Sequence, residues 1–122
     1  MNKIVAIFFL LGMLSGCGEI EKSSLVGVWV NYGEKGEVIG YDQYKENGKT
    51  HSWGTIPYTG EEFEAEGNYT IEGNKCCITI EKSSIPMLLP VGDRWCDEVL
   101  SVDDKVLVYR TPKGEVAKAY RQ

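Results

Sequence analysis

The chain has 122 residues, with 13 Lys and Arg against 18 Asp and Glu, one histidine and a formal charge of −5. Without grouped basic side chains it lacks what phosphate-backbone binding needs, so no nucleic-acid partner is expected. His51 is the sole histidine, so no Cys–His or Ser–His–Asp set forms without it, and the glycines sit at turns rather than in a phosphate loop. No enzyme activity and no cofactor are expected.

Met1-Asn2-Lys3 carries one positive side chain, and Ile4 to Leu14 carry none. A basic start, about ten apolar residues and small residues before a cut site describe a secretory signal. The run is short for a bilayer span, which needs roughly 20 residues. Leu14-Ser15-Gly16-Cys17 then resembles a bacterial lipobox. That resemblance implies cleavage before Cys17, lipidation of Cys17 and three acyl chains, and two or more chains hold a protein to a membrane stably. The alternative is an ordinary signal peptide cut nearby, with Cys17 left as a thiol. Gly18, rather than Asp, follows the cysteine, which by enterobacterial-type sorting is an outer-membrane address. The expected location is the bacterial cell envelope, anchored at the outer membrane and facing the periplasm.

The expected organisation is a signal peptide over 1–16, a lipidated tether over 17–24 and one folded domain over 25–122. Removing 16 of 122 residues leaves 106, enough for one core. Loss of Lys3 leaves 12 basic against 18 acidic side chains, a charge of −6. Glu61-Glu62-Phe63-Glu64-Ala65-Glu66 is the one local acidic run, read as a solvated face or as a surface for a basic partner.

Short strands broken by turn chemistry follow, with no convincing helix. The first is Leu25 to Tyr32, turned by Gly33-Glu34-Lys35-Gly36. Val38 to Lys45 is the second, and Asn47-Gly48 after it is a strong hairpin signal. Thr50 to Pro57 is the third, before a looser acidic segment around Gly60. Glu66 to Glu72 and Lys75 to Lys82 flank a turn at Gly73-Asn74. Ser83 to Asp93 holds two prolines and a glycine and is therefore a loop, an unusually apolar one with Ile85, Met87, Leu88 and Leu89. Arg94 to Val102, Lys105 to Thr111 and Glu115 to Arg121 complete eight strands. An antiparallel meander of this kind closes into a small all-β barrel, removing its exposed edges. A two-sheet sandwich is the alternative.

Four cysteines at these spacings make no zinc pattern, so no metal is expected. With Cys17 assigned to lipid, Cys76, Cys77 and Cys96 remain. In an oxidising envelope either Cys76 or Cys77 should pair with Cys96, since adjacent cysteines rarely bond each other. Alternation puts Cys76 on the face of Ile78 and Ile80, which leaves both pairings open.

Gly27-Val28-Trp29 on the first strand resembles the opening signature of the lipocalins and their small bacterial relatives. Tyr44 before Asn47-Gly48, Gly67-Asn68-Tyr69-Thr70-Ile71 before Gly73-Asn74, and the terminal Tyr120-Arg121 are looser matches. The resemblance implies an eight-stranded lipocalin-like barrel closed at one end by Trp29, with Arg121 packed across it in a cation–π contact. The chain is markedly shorter than full-size lipocalins, so a smaller barrel filled by its own aromatics is also open.

Aromatic residues Tyr41, Tyr44, Trp53, Tyr58, Tyr69 and Trp95 supply candidates for a barrel mouth, about half of them expected in the core. Trp53, Trp95, Ile85, Met87, Leu88 and Leu89 are the candidate ligand or lid contacts, the apolar loop serving either as a lid or as a contact surface. Two functions follow: a lipid-anchored carrier of a small apolar or amphipathic ligand, or an interaction protein binding another envelope protein through its acidic surface or apolar loop, in the manner of lysozyme inhibitors.

Overall fold

The computed structural model describes residues 19–122. The signal peptide over 1–16 and the lipidated Cys17 lie outside the described residues. A helical turn, α1 (Lys22–Leu25), leads into eight strands: β1 (Gly27–Tyr32), β2 (Val38–Tyr44), β3 (Lys49–Thr55), β4 (Glu62–Glu72), β5 (Lys75–Ser83), β6 (Arg94–Val102), β7 (Val106–Arg110) and β8 (Val116–Arg121). Each pairs antiparallel with the next and β8 returns to β1, so the sheet is a closed barrel in sequence order. Closure excludes the two-sheet alternative. The β1–β8 seam is short, with Trp29 opposite Arg121 and Val30 opposite Tyr120.

Most strand ends lie within one or two residues of the sequence reading, and two segments depart from it further. β4 begins at Glu62, four residues early, and the acidic run resolves into strand alternation. Glu62, Glu64 and Glu66 are exposed, while Phe63 and Ala65 between them turn inward. The described part of the segment read as a tether, Glu19 to Ser24, contains most of α1. Two apolar anchors hold it: Ile20 packs on the core, its amide donating to Gly73 O at 3.1 Å, and Leu25 just after it is fully buried. Burying a leucine side chain is worth roughly 1.5–3 kcal/mol, which contributes to holding the segment in place.

The Asn47-Gly48 hairpin forms, but only Gly48 takes a positive φ, 86°. Gly48 N donates to Lys45 O at 3.1 Å, and Asn47 Oδ1 accepts from Lys49 N at 3.0 Å, so the side chain completes the turn. The disulfide joins Cys77 and Cys96, which stand directly opposite each other on β5 and β6. Cys76, on the other face, is a buried free thiol among Tyr44, Ile78 and Val99. Register thus selects the pairing that alternation alone left open.

One end of the barrel is shut. Trp29 is fully buried, and its Nε1 donates to Leu25 O at 2.9 Å. The Arg121 guanidinium lies 4.2 Å from the Trp29 ring centroid, donating from Nη1 to Val26 O at 2.7 Å and from Nη2 to Ser24 O at 2.9 Å. Gly27 makes this possible twice over. Its φ of 137° disfavours a side chain, and a Cβ there would meet Arg121 Nη1 at 2.5 Å. Tyr69 locks the adjoining corner, stacking edge-on against Tyr44 at 5.0 Å and donating its hydroxyl to Lys45 O at 2.7 Å.

Replacing Arg121 by Met keeps the apolar stem but removes two charge-assisted hydrogen bonds and the cation–π contact. Urea denaturation is expected to show a loss of about 3 kcal/mol, with Arg121→Lys recovering less than half of it.

Candidate functional site

The opposite end is open. There the connections 33–37, 56–61, 84–93 and 111–115 surround a mouth, and beneath it lies a cavity of about 430 Å³. Its floor is Leu25, Trp29 and Tyr44, and its walls include Phe63, Ile78, Ile80, Trp95, Val99, Leu107 and Tyr109. A second cavity of about 480 Å³ sits at the mouth and shares Asp42, Phe63, Leu89 and Tyr109 with the first, so the two form a lumen and its vestibule.

Small residues create the space. Ala65, Ala119 and Ser52 stand on the lumen side of β4, β8 and β3, where larger side chains would fill a barrel of eight strands. The lumen is also polar in one zone. Asp42 accepts from Ser52 Oγ at 2.7 Å and from Asn31 Nδ2 at 2.9 Å. Asp97 projects from β6, four strands from β2 in either direction around the barrel, so the two carboxylates stand on opposite walls. Burial, reinforced by the charge of Asp42, pushes the Asp97 carboxyl up to about 6, with a hydrogen bond from the Trp95 side chain opposing the rise. Tyr109 is pushed up to about 12 by burial and then by Asp42 and Asp97. Burial first, then Asp97, raises the Cys76 thiol to about 12, against a lowering contact from the Tyr44 hydroxyl. That thiol is a neutral packing group at neutral pH, not a nucleophile.

The candidate contacts divide. Trp95 and Leu89 line the lumen. Ile85 and Leu88 line the vestibule, although Leu88 is 63 % exposed. Met87 is 95 % exposed at the loop tip and lines neither cavity. A turn with Leu88 N and Leu89 N both donating to Ile85 O folds Leu89 inward and leaves Met87 outside. Trp53 is not a lumen residue. On β3 the inward positions are Thr50, Ser52 and Gly54, so Trp53 points out, stacked on Tyr41 at 5.2 Å and tilted against His51 at 4.8 Å. Of the other mouth candidates, Tyr44 and Tyr69 are core and Tyr58 is 97 % exposed. His51 Nε2 contacts Glu64 Oε2 at 2.6 Å on the outer surface, away from the lumen.

Asp42, Asp97, Phe63 and Tyr109 are the lumen residues that the sequence reading missed. The signal was present in the period-two register. Asp42 alternates with Gly40 and the buried Tyr44, and Asp97 lies between the inward Trp95 and Val99. A carboxylate on an inward position is ordinarily assigned to the surface, which conceals it.

Comparison with known proteins agrees with this architecture. A crystal structure of a lipocalin-like protein from Bacteroides uniformis superposes with a TM-score of 0.61 at 15 % identity, covering 81 % of this chain and 99 % of that one. An uncharacterized protein from Bacteroides eggerthii gives 0.56 at 14 %, covering 80 % and 99 %. The fold is lipocalin-like. No family model and no curated protein matches the chain.

The state of Asp97 makes stability depend on pH. Its folded value lies above that of an unfolded Asp, so its contribution is complete at low pH and is lost as pH rises through about 6. Asp97→Asn is therefore expected to raise the melting temperature at pH 7.5 by about 3–5 °C and to leave it nearly unchanged at pH 4. Thermal melts at the two pH values check this, and an equal gain at both would contradict it.

Proposed function

We propose that this protein is a non-catalytic lipoprotein of the bacterial envelope, anchored at Cys17 and carrying a small apolar or amphipathic ligand in its barrel. The observation that supports the carrier reading is the lumen: about 430 Å³, closed below by Trp29 and Arg121, open above, and walled by aromatic and aliphatic side chains. Pockets of roughly 300–1,000 Å³ with a few placed polar groups are the usual form of small-molecule sites. The lipobox-like Leu14-Ser15-Gly16-Cys17 supports the anchor.

A soluble form starting at Glu19 retains every described element of the barrel. Titrated with the neutral fluorophore N-phenyl-1-naphthylamine, it is expected to give saturable one-to-one enhancement with a Kd in the micromolar range. Absence of saturable binding would remove the carrier reading.

The exposed tip of the apolar loop favours a second reading, contact with another envelope protein. Met87 stands in solvent and Leu88 at the rim of the vestibule is largely exposed, and the mature chain is acidic. For the lysozyme-inhibitor version, micromolar protein should inhibit a lysozyme; unchanged lysozyme activity rules that version out.

A further inference from the structure

We propose that the lumen selects a cationic amphiphile: a small organic amine whose apolar body lies on the aromatic walls and whose ammonium group is held at Asp42 or Asp97. The proposal rests on the carrier reading and specifies the ligand's charge.

The charge balance of the cavity carries it. Asp42 and Asp97 stand within the lumen, while Asp93 and Glu66, also among its lining residues, are exposed to solvent. None of its lining residues is Lys, Arg or His. Arg121 is spent on Val26 O, Ser24 O and the Trp29 ring beneath the floor, and the vestibule includes one basic residue, Lys118. A lumen made for a fatty acid or another anion would need a cation on its walls, and an anion there would face two carboxylates in a low-dielectric space. A wholly apolar ligand would displace water from both carboxylates, leaving Asp42 only its bonds from Asn31 and Ser52 and Asp97 only its bond from the Trp95 side chain. An ammonium resolves this, since it replaces lost water with a charge-assisted hydrogen bond.

Asp42 is positioned for that task. Asn31 and Ser52 fix its carboxylate from β1 and β3, leaving lone pairs directed to the lumen. The groups facing Asp97 are Asp42 from β2, Tyr109 from β7, Cys76 and Tyr44 at the floor and the Trp95 indole beside it, none of which carries a positive charge. Trp95 and Tyr109 line the same cavity, and aromatic rings of this kind attract a bound cation.

A matched series separates charge from bulk: octylamine, 1-octanol and octanoate compete at pH 7.5 with N-phenyl-1-naphthylamine bound to the form starting at Glu19. Octylamine is expected to bind at least tenfold more tightly than octanol, and octanoate at least tenfold more weakly than octanol. Asp42→Asn/Asp97→Asn should bring octylamine within about threefold of octanol while dye binding persists. Glu62→Gln/Glu64→Gln, on the outer face of β4, should leave the preference intact. Equal affinities for octylamine and octanol in the unmodified protein would overturn the proposal and leave the carrier reading standing. A preference lost in the outer-face variant would overturn it equally, by assigning the effect to surface charge. Failure of the dye and all three octyl compounds to bind would overturn both readings. The unmodified protein's preference decides the matter even if the double Asn variant does not fold.

Discussion

The guanidinium of Arg121 closes the barrel chemically as well as sterically. It is the penultimate residue, on a strand that meets β1 through only two register pairs, yet it reaches Ser24 O and Val26 O and lies over Trp29. One planar group thereby ties the last strand to the segment before the first. Its buried Nε is without a hydrogen-bond partner, a local cost that two short bonds and the indole face offset. The glycine at position 27 makes room for that contact, and the helical turn before it supplies the Ser24 carbonyl that accepts from it. With the seam fixed at one end, the other end can remain open and the interior need not be filled.

That freedom is what the lumen uses. A barrel of eight strands is just wide enough to be filled by side chains or to hold one small ligand, and at the closed end Trp29, Tyr44, Tyr69, Cys76, Val99 and Leu107 form a continuous core beneath and around the cavity. Above them alanine and serine replace bulk, and two aspartates occupy positions that a purely structural barrel would give to valine or leucine. Burying Asp97, with Asp42 on the opposite wall adding to the effect, costs stability at neutral pH. Such a pair on facing walls of an aromatic cavity gives up local consistency, as functional sites do, and is the ground for the cationic ligand proposed above. The disulfide between Cys77 and Cys96 lies on the outer face of the strand carrying Asp97, and stiffens the wall from which that side chain projects.

The fold was largely legible in the sequence because turn chemistry and period-two alternation agree along the chain. Asn47-Gly48, Gly73-Asn74 and Pro112-Lys113-Gly114 mark connections that exist, and Gly27-Val28-Trp29 with Arg121 marks the closed end. The site was legible only in part. Trp95 and Leu89 carry an apolar signal and were found; Trp53 carries the same signal and faces outward, because its position relative to Ser52 decides its face and tryptophan suits either side of a sheet. Asp42 and Asp97 were missed for the converse reason. A lone carboxylate in a strand ordinarily belongs to solvent, and only barrel closure, which sets β2 opposite β6, turns two such residues into a pair. The difference between Cys76 and Cys77 had the same origin: it depends on cross-strand register, which spacing does not contain.

The most direct test is a crystal structure of the form starting at Glu19, grown with saturating octylamine. The expected result is an octyl chain along Trp95 and Tyr109, with its nitrogen within hydrogen-bonding distance of Asp42 or Asp97. An amine found only on the outer acidic face of β4, over a lumen filled by its own side chains, would contradict it.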